Sequence, residues 1–338
     1  MKKLIGIVSL LILLVSCSSN DTDGIYYDNP EVSLEIPAGF PELNSFVSLN
    51  KLTKYGVELG EKLFSDKRFS ADNTISCSSC HIQANAFADH NPQGIGIEGR
   101  VGLRNTPAIQ NLIFMKFFNW DGSKLQLENQ PLVPIITHEE MDSSILEVIG
   151  KIKDDAVYKD LFQKAFGDET ITPERIFKSI AQFEYTLISV NSKYDKVKRN
   201  ESAFTTAEAQ GYATFQQKCA SCHSTELFTD QSFRNIGFPI NTDTNEAGRA
   251  RVTGIPADYM SFRVPSLRNV EYTAPYGSFG QFPDLKSVLD YFDNGVLDAD
   301  NLDPVFKNNA GKIPLSEEEK TNLIAFMKTL SDQKFIGK

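Results

Sequence analysis

Two copies of one short pattern, Cys-x-x-Cys-His, constrain this chain more than any other feature. They stand at Cys77-Ser-Ser-Cys80-His81 and at Cys219-Ala-Ser-Cys222-His223. Two cysteines at this spacing can each form a thioether with a vinyl group of haem, and the histidine that follows can bind the iron. The pattern therefore predicts two covalent haem c groups, with four cysteines for attachment and His81 and His223 as iron ligands.

The same cysteine spacing also occurs in redox-active dithiols and in zinc sites. Here a histidine follows both cysteine pairs, and four cysteines on one zinc ion would leave both histidines unexplained. The duplication therefore favours haem. A fifth cysteine, Cys17, lies near the N-terminus, so no pair remains for a structural disulfide.

The N-terminus has the pattern of an export signal. Two lysines are followed by an apolar run from Leu4 to Val15, which is too short to span a bilayer. The run ends in Leu-Val-Ser-Cys, which resembles the lipobox of bacterial lipoproteins. We therefore predict a signal peptide over 1–16, lipid on Cys17 and a flexible polar tether over 17–35. The protein would then be an exported lipoprotein of the cell envelope, facing the periplasm or on the outer membrane. The alternative is a soluble secreted protein with an unmodified Cys17.

The charge balance limits the partners. The chain has 34 basic and 44 acidic side chains, a net charge of −10. Non-specific binding to nucleic acid phosphates has no electrostatic basis at this charge, so we expect no nucleic acid partner. Basic protein partners suit the chain better.

The surroundings of the two motifs are alike, which indicates a duplicated domain. A helical pattern of aromatic and small residues precedes each motif, at Tyr55 to Phe64 and at Ala209 to Phe215. We place the boundary near residue 200, which gives an N-terminal domain over 36–200 and a C-terminal domain over 201–338. No sustained two-residue alternation is present, so the pattern predicts an all-α fold with long loops.

Several segments together resemble the bacterial dihaem cytochrome c peroxidases and the related methylamine-utilisation dihaem enzymes. In chain order they are LGEKLFSDKRFSADNTISCSSCH, GLRNTPAIQN, FFNWDG, the EEM at 139–141, GYATFQQKCASCH and FRVPSLRNVEYTAPY. The resemblance covers residues from about 55 to 330. It implies two cytochrome c-like domains, with a peroxidatic haem in the first and an electron-transfer haem in the second.

The resemblance also assigns catalytic roles. A haem that cleaves peroxide needs a proximal nitrogen ligand, an open opposite face and a group that moves a proton between the two oxygens. His81 supplies the ligand. The family match implies that Glu140 is the distal carboxylate, that Gln130 positions the oxidant and that Trp120 passes electrons between the haems. Without the motifs, Glu140 would be assigned to the solvated surface and Trp120 to the core.

Two further expectations depend on the resemblance alone. Asn105, in the RNTP segment, matches a side-chain ligand of a calcium ion that the family holds between its haems, with carbonyls and waters as the other ligands. The alternative is an asparagine that shapes the loop. The family also implies a homodimer.

The loop after the first motif departs from the family pattern. In many dihaem peroxidases a histidine on this loop blocks the first haem until the second is reduced. The corresponding place is near Gly96 or Ile97, and no histidine stands there. His90 lies earlier in the loop, and we interpret it as an exposed loop residue with gating of the first haem as the alternative.

The second haem departs as well. In the peroxidases a methionine raises its reduction potential, but the matching position here is Ala274. By analogy with the methylamine-utilisation enzymes we predict Tyr276 as the sixth ligand, with Met260 as a weaker candidate. Tyr276 could equally be a buried structural aromatic whose hydroxyl bonds elsewhere.

Three functions follow as hypotheses. The first is a dihaem cytochrome c peroxidase that reduces hydrogen peroxide to water with electrons from a small c-type cytochrome or cupredoxin. The second is a dihaem oxidase of the methylamine-utilisation type, which acts on a protein or organic substrate through a high-valent haem state. The third is a membrane-tethered electron carrier without catalysis, which would need two strong protein ligands on each haem.

Overall fold

The structure is a computed structural model that describes residues 28–242 and 244–338. The predicted signal peptide and Cys17 lie outside the described residues. Within the described ranges, no helix has both the length and the apolar character needed to cross a membrane.

Helices joined by long loops form most of the described chain, as the all-α prediction requires. In chain order they are α1 (Lys54–Phe64), α2 (Cys77–Cys80), α3 (Leu132–Ile136), α4 (Ile145–Ile152), α5 (Ala156–Phe166), α6 (Pro173–Tyr185), α7 (Lys193–Lys198), α8 (Thr206–Lys218), α9 (Ala250–Thr253), α10 (Leu285–Asn294), α11 (Pro304–Lys307) and α12 (Glu317–Lys328). The structure adds a small antiparallel sheet, in which β1 (Phe233–Arg234) pairs with β2 (Phe262–Arg263). Strands of two residues are too short to show the alternation on which the prediction relied.

Side-chain caps define where the long helices begin. The Thr172 hydroxyl accepts a hydrogen bond from the Arg175 amide at the start of α6, where Pro173 needs no backbone donor. Thr205 and Glu208 form a capping box at the start of α8. The spacing of Ser316 and Glu319 in the sequence predicts a capping box. The structure confirms it at the start of α12.

Two helix crossings have the same geometry in the two halves of the chain. Helix α1 crosses α6 at Gly60, where an added Cβ would lie 1.9 Å from the Ser179 carbonyl oxygen. Helix α8 crosses α12 at Gly211, where an added Cβ would lie 1.9 Å from the Asn322 carbonyl oxygen. Only glycine allows the helix backbones to approach this closely.

Each half has its own hydrophobic core. The first core includes Leu59, Phe64, Phe162 and Ile180, and the second includes Phe215 and Phe326, with Leu323 and Leu330 beside them. The C-terminal Phe335 and Ile336 belong to the first core, so the chain returns to its N-terminal half after α12.

The segment around the proposed domain boundary is ordered by the second half. The run 191–202, which its polar composition predicts to be a linker, contains α7. Tyr194 on this helix joins the second core, and Asp195 forms a buried ion pair with Arg268, with an oxygen–nitrogen distance of 2.8 Å. The segment therefore folds against the C-terminal half.

The described end of the predicted tether also makes contacts. The Val32 amide donates to the Leu52 carbonyl at 2.9 Å, and the Lys54 amide donates to the Pro30 carbonyl at 2.9 Å. Val32 and Leu34 pack against the first core. Residues 28–35 therefore lie along the first half, because their apolar side chains find a partner there.

Candidate haem sites

The first motif is presented on a short capped helix. Ser76 and Ser79 form a capping box around α2, which carries Cys77 and Cys80. The Nδ1 atom of His81 lies 2.9 Å from the Phe87 carbonyl oxygen, and a carbonyl can only accept, so Nδ1 carries the proton. Burial lowers the pKa of His81. The neutral ring therefore leaves Nε2 free to bind a metal.

The second motif repeats this arrangement. The Nδ1 atom of His223 lies 3.0 Å from the Phe228 carbonyl oxygen, and burial lowers the pKa of this ring too. The motif faces a large cavity whose walls are mainly apolar. Residues from both halves of the chain line it, among them Cys219, Cys222, His223, Trp120, Val264 and Leu289.

Glu140 lies beside the first motif. Burial raises the pKa of its carboxyl group, and the neighbouring Glu139 raises it further. Burial also raises the pKa of the Cys77 and Cys80 thiols, and the charge of Glu140 adds to both shifts. Glu140 therefore lies within electrostatic range of both attachment cysteines.

The backbone around Glu140 is fixed by the loop that follows the first motif. The Ile97 amide donates to the Glu140 carbonyl at 2.9 Å. Gly96 lies so close to this turn that an added Cβ would be 2.1 Å from the Glu139 carbonyl oxygen. The position that carries a histidine in many dihaem peroxidases is therefore a close backbone contact here, with little space for a side chain.

Gln130 and Glu140 flank the short helix α3. The Val133 amide donates to the Gln130 carbonyl at 2.9 Å, and the Gln130 side-chain amide lies 3.3 Å from the Asn119 side-chain oxygen. At the other end, the Met141 amide donates to the Pro134 carbonyl at 3.1 Å. One short helix thus sets the separation of the two predicted catalytic side chains.

Trp120 lies where the two halves of the chain meet. Its indole nitrogen donates to the Asn105 carbonyl at 2.8 Å, and its own carbonyl accepts from the Arg263 amide at 2.8 Å. Its ring packs edge-on against Phe262, and it lines the cavity of the second motif. The role of Trp120 between the two haems stays a prediction.

Asn105 is buried in the same junction. Its amide donates to the Ser278 carbonyl at 2.9 Å, and its side-chain amide donates to the Asn91 carbonyl at 3.1 Å. These bonds shape the loop, as the alternative interpretation requires, and they use the side-chain nitrogen rather than its oxygen. The calcium ligand role of Asn105 stays a prediction.

The duplication extends from the motifs into the loops that follow. Residues 111–124 correspond one for one with residues 269–282. Asn111 and Asn269 both adopt the left-handed conformation, and a short 3₁₀ helix follows each. An isolated bridge then joins Phe118 to Lys124 in the first half and Tyr276 to Phe282 in the second.

Comparison with known proteins gives the family. The family model for di-haem cytochrome c peroxidases matches residues 54–203. The methylamine utilization protein MauG of Methylorubrum extorquens is 35% identical over 295 residues, which are 86% of this chain and 82% of that protein. The chain belongs to the di-haem cytochrome c peroxidase family.

Two further relatives agree with this assignment. The cytochrome c551 peroxidase of Nitrosomonas europaea is 33% identical over 81% of this chain and 79% of that protein. A crystal structure of a MauG-like protein associated with microbial copper homeostasis aligns with a TM-score of 0.80 and 29% identity over 91% of this chain and 97% of that one. The chain is thus an oxidoreductase of the cytochrome c peroxidase type, in a family that includes both peroxidases and MauG.

Membership in this family implies two haem c groups, and the residues present fit them. Each motif combines two free, partly exposed cysteines with a buried neutral histidine whose Nδ1 is bonded to a backbone carbonyl, and the second motif opens into an apolar cavity. The alternatives fit less well. Raised thiol pKa values do not suit a redox-active dithiol, and in the described ranges no three His, Cys, Asp or Glu side chains converge to hold a metal ion.

The structure places both candidate sixth ligands of the second haem in one cavity. Tyr276 and Met260 each line it. The Tyr276 hydroxyl donates to the Val270 carbonyl at 2.7 Å, which is the arrangement expected for a structural aromatic. The ligand role of Tyr276 stays a prediction.

His90 is exposed and lies against the second half of this di-haem chain. Its Nδ1 atom is 3.2 Å from the Ala274 carbonyl oxygen. Ala274 occupies the position of the family's methionine. The side chain therefore contacts the loop of the second motif, which favours the loop interpretation over gating of the first haem.

Sequence reasoning missed the charged residues that hold the junction. Arg104 donates from two nitrogens to the buried Glu246, at 2.7 and 2.9 Å, and from a third to Asp121 at 2.7 Å. Arg263 reaches the cavity from β2. Aligning the two halves of the chain would have singled out the short segments that contain both arginines, GLRNTP and FRVP.

Proposed function

We propose that this protein reduces hydrogen peroxide to water at the first haem. The reaction breaks the O–O bond and consumes two electrons and two protons, so that each peroxide yields two water molecules. The observation that carries the proposal is Glu140, a half-buried carboxyl group of raised pKa beside Cys77 and Cys80. A carboxyl group of raised pKa is a stronger base than an exposed one, so it suits a group that accepts a proton from one peroxide oxygen and releases it to the other.

The side chains around the first motif divide the work. His81 would bind the iron through Nε2, and the iron would supply electrons to the peroxide. Glu140 would take the proton from one peroxide oxygen and return it to the other, which leaves as water. Gln130, at the far end of α3, would hold the oxidant by hydrogen bonds from its side-chain amide.

Electrons would enter through the second haem. Trp120 lines the cavity of the second motif, and hydrogen bonds fix both its ring and its backbone. It would conduct electrons toward the first haem. A small c-type cytochrome or a cupredoxin is the proposed donor, and the net charge of −10 favours a donor with a basic surface.

Replacement of Glu140 tests the proposal. Glu140→Gln keeps the shape of the side chain but cannot accept or release the proton. We expect peroxide turnover to fall by about 10²- to 10⁴-fold, with unchanged visible spectra of both haems. Glu58→Gln is the control, because Glu58 is an exposed acidic residue on α1 and the same amide replacement there leaves the surroundings of Glu140 unchanged. Equal turnover in the two variants would refute the role of Glu140.

The residues around the second haem site favour a second candidate function, that of an oxidase. Ala274 stands at the methionine position and Tyr276 lines the cavity, and the chain is 35% identical to a MauG protein. If Tyr276 binds the iron, its anionic oxygen stabilises ferric iron and suits an oxidase that acts on a protein or organic substrate.

Replacement of Tyr276 separates the two candidates. As a ligand, Tyr276→Phe would raise the reduction potential of the second haem and change its electron paramagnetic resonance signal. As a structural aromatic, the same change would remove only the bond to the Val270 carbonyl and leave the signal in place. Tyr272→Phe is the control, because this tyrosine lies in the same loop but does not line the cavity.

We propose that the chain is exported and held at the cell envelope by lipid on Cys17. The support is the sequence pattern at 14–17. Expression with a radiolabelled fatty acid in a bacterial host tests this, because label should enter the wild-type chain and be absent from Cys17→Ser. Label in both chains would refute the assignment.

A further inference from the structure

Two arginines from the small sheet line the cavity of the second motif, and their surroundings differ. Arg234 of β1 forms ion pairs with Asp230 at 2.6 Å and with Asp303 at 2.8 Å. Arg263 of β2 forms no ion pair with any residue in the described ranges, and its buried Nε has no hydrogen-bond partner there. Its backbone amide bonds to Trp120, so the backbone is fixed while the guanidinium lacks a partner.

A guanidinium without a partner in a cavity wall is chemically complementary to an anion. Burial lowers the pKa of its guanidinium to about 10, so the group still carries its charge at neutral pH. An uncompensated buried charge is costly, and folded proteins pair such charges or expose them. Arg234 lines the same cavity, and two carboxylates, those of Asp230 and Asp303, neutralise its charge. No carboxylate in the described ranges pairs with Arg263.

We propose that Arg263 binds a carboxylate of the cofactor in this cavity, a propionate group of the second haem. A guanidinium presents its N–H groups in a planar fork that matches a carboxylate. The proposal requires only that haem is attached at Cys219 and Cys222, and it is independent of the reaction catalysed at the first haem.

The same residue then connects the cofactor to the tryptophan. Arg263 donates its backbone amide to the Trp120 carbonyl at 2.8 Å and would bind the propionate with its side chain. Its positive charge would keep the propionate ionised and would favour the reduced state of the nearby iron. Arg263 is thus a positioning residue that tunes the potential of the second haem.

The test compares Arg263→Gln with Arg234→Gln in the haem-loaded protein. Both variants remove one positive charge from the same cavity wall. Resonance Raman spectra report the bending modes of the haem propionates, and we expect a shifted mode in Arg263→Gln only. Unchanged modes in Arg263→Gln, or equal shifts in the two variants, would overturn the proposal.

Redox titration provides a second readout. In the wild type the potential of the second haem should be independent of pH between pH 5 and 8. In Arg263→Gln it should be lower and should fall as pH rises, because the unpaired propionate now titrates in this range. A pH-independent potential in this variant would contradict the proposal.

A conservative variant keeps the proposal testable if Arg263→Gln does not accumulate with haem. Arg263→Lys retains the charge but loses the planar fork. We expect a pH-independent potential together with a shifted propionate mode. An unchanged propionate mode in Arg263→Lys would overturn the proposal.

Discussion

The two halves of this chain share one helical frame and differ in the loops built on it. In each half a glycine brings two helices into backbone contact, at Gly60 and at Gly211. In each half the motif histidine donates from Nδ1 to a phenylalanine carbonyl five or six residues later. In both halves, therefore, the helical frame holds a neutral histidine at the site of a covalent haem.

The loops give each half its own chemistry. In the first half, the repeated segment 111–124 is followed by α3, which separates Gln130 from Glu140. The second half places Tyr276 and Arg263 in a cavity that also receives Trp120 from the first half. The helix packing that supports each motif is therefore shared by the two halves, whereas the side chains placed near each motif come from loops that differ.

The halves also treat their buried acids differently. Glu184 at the end of α6 in the first half has a carboxyl oxygen without a hydrogen-bond partner in the described ranges. Asp195 lies on α7, which packs against the second half, and it accepts hydrogen bonds from two nitrogens of Arg268. The residue that corresponds to Arg268 in the first half is the uncharged Gln110.

Alanine at the two crossing glycines should give the largest loss of stability. The new Cβ would lie 1.9 Å from a backbone carbonyl oxygen in both Gly60→Ala and Gly211→Ala. We expect each variant to lose about 3 kcal/mol or more in the free energy of unfolding, measured by urea denaturation. Gly150→Ala in α4 is the control, because its Cβ meets nothing within 4 Å and should stabilise the helix slightly. If only one of the two variants lost stability, the two helix crossings would not be equivalent.

Removal of the buried ion pair should have the next largest effect. Asp195→Asn leaves Arg268, which is fully buried, without its charge partner. We expect a loss of about 3 kcal/mol in the free energy of unfolding at pH 7. Asp168→Asn, which removes an exposed partner of Arg175, should change stability far less. Equal losses in the free energy of unfolding would show that the buried ion pair contributes no more to stability than the exposed one.

The same pair gives a pH dependence of known sign. Burial opposes ionisation of Asp195, but hydrogen bonds from Arg268 outweigh it and lower the pKa of the carboxyl group. Its stabilising effect is therefore present above the pKa of the unfolded state and is lost as pH falls through the lower folded-state pKa. Acid titration of stability should show a smaller drop in Asp195→Asn than in the wild type.

Glu184 should show the opposite pH dependence. Burial, with a contribution from Glu128, raises the pKa of Glu184 to about 8. Stability is thus greatest while the carboxyl group is protonated and falls as pH rises toward 8. We expect Glu184→Gln to be close to the wild type near pH 5 and to exceed it increasingly in the free energy of unfolding as pH rises toward 8, by up to about 1.4 kcal/mol for each pH unit. A constant difference between the two proteins across this range would contradict the assignment.

The sequence predicted those features that depend on residues close together in the chain. The Cys-x-x-Cys-His spacing identified both haem motifs, and the Ser316 and Glu319 spacing located the start of α12. The order of motifs indicated the family, which the comparisons confirm. These predictions succeed because a haem attachment motif and a helix cap are each formed within one or two turns of backbone.

Contacts between distant segments were decided by the tertiary structure alone. The C-terminal Phe335 packs in the first core, and α7 occupies a segment whose polar composition suggests a linker. Sequence does not distinguish Arg234 from Arg263, since both follow a phenylalanine. Only the fold brings Asp303 to Arg234 and leaves Arg263 without an ion-pair partner in the described ranges. The physical reason is that a buried charge is paired by side chains that are distant in sequence but close in space. Those side chains come together only when the chain has folded.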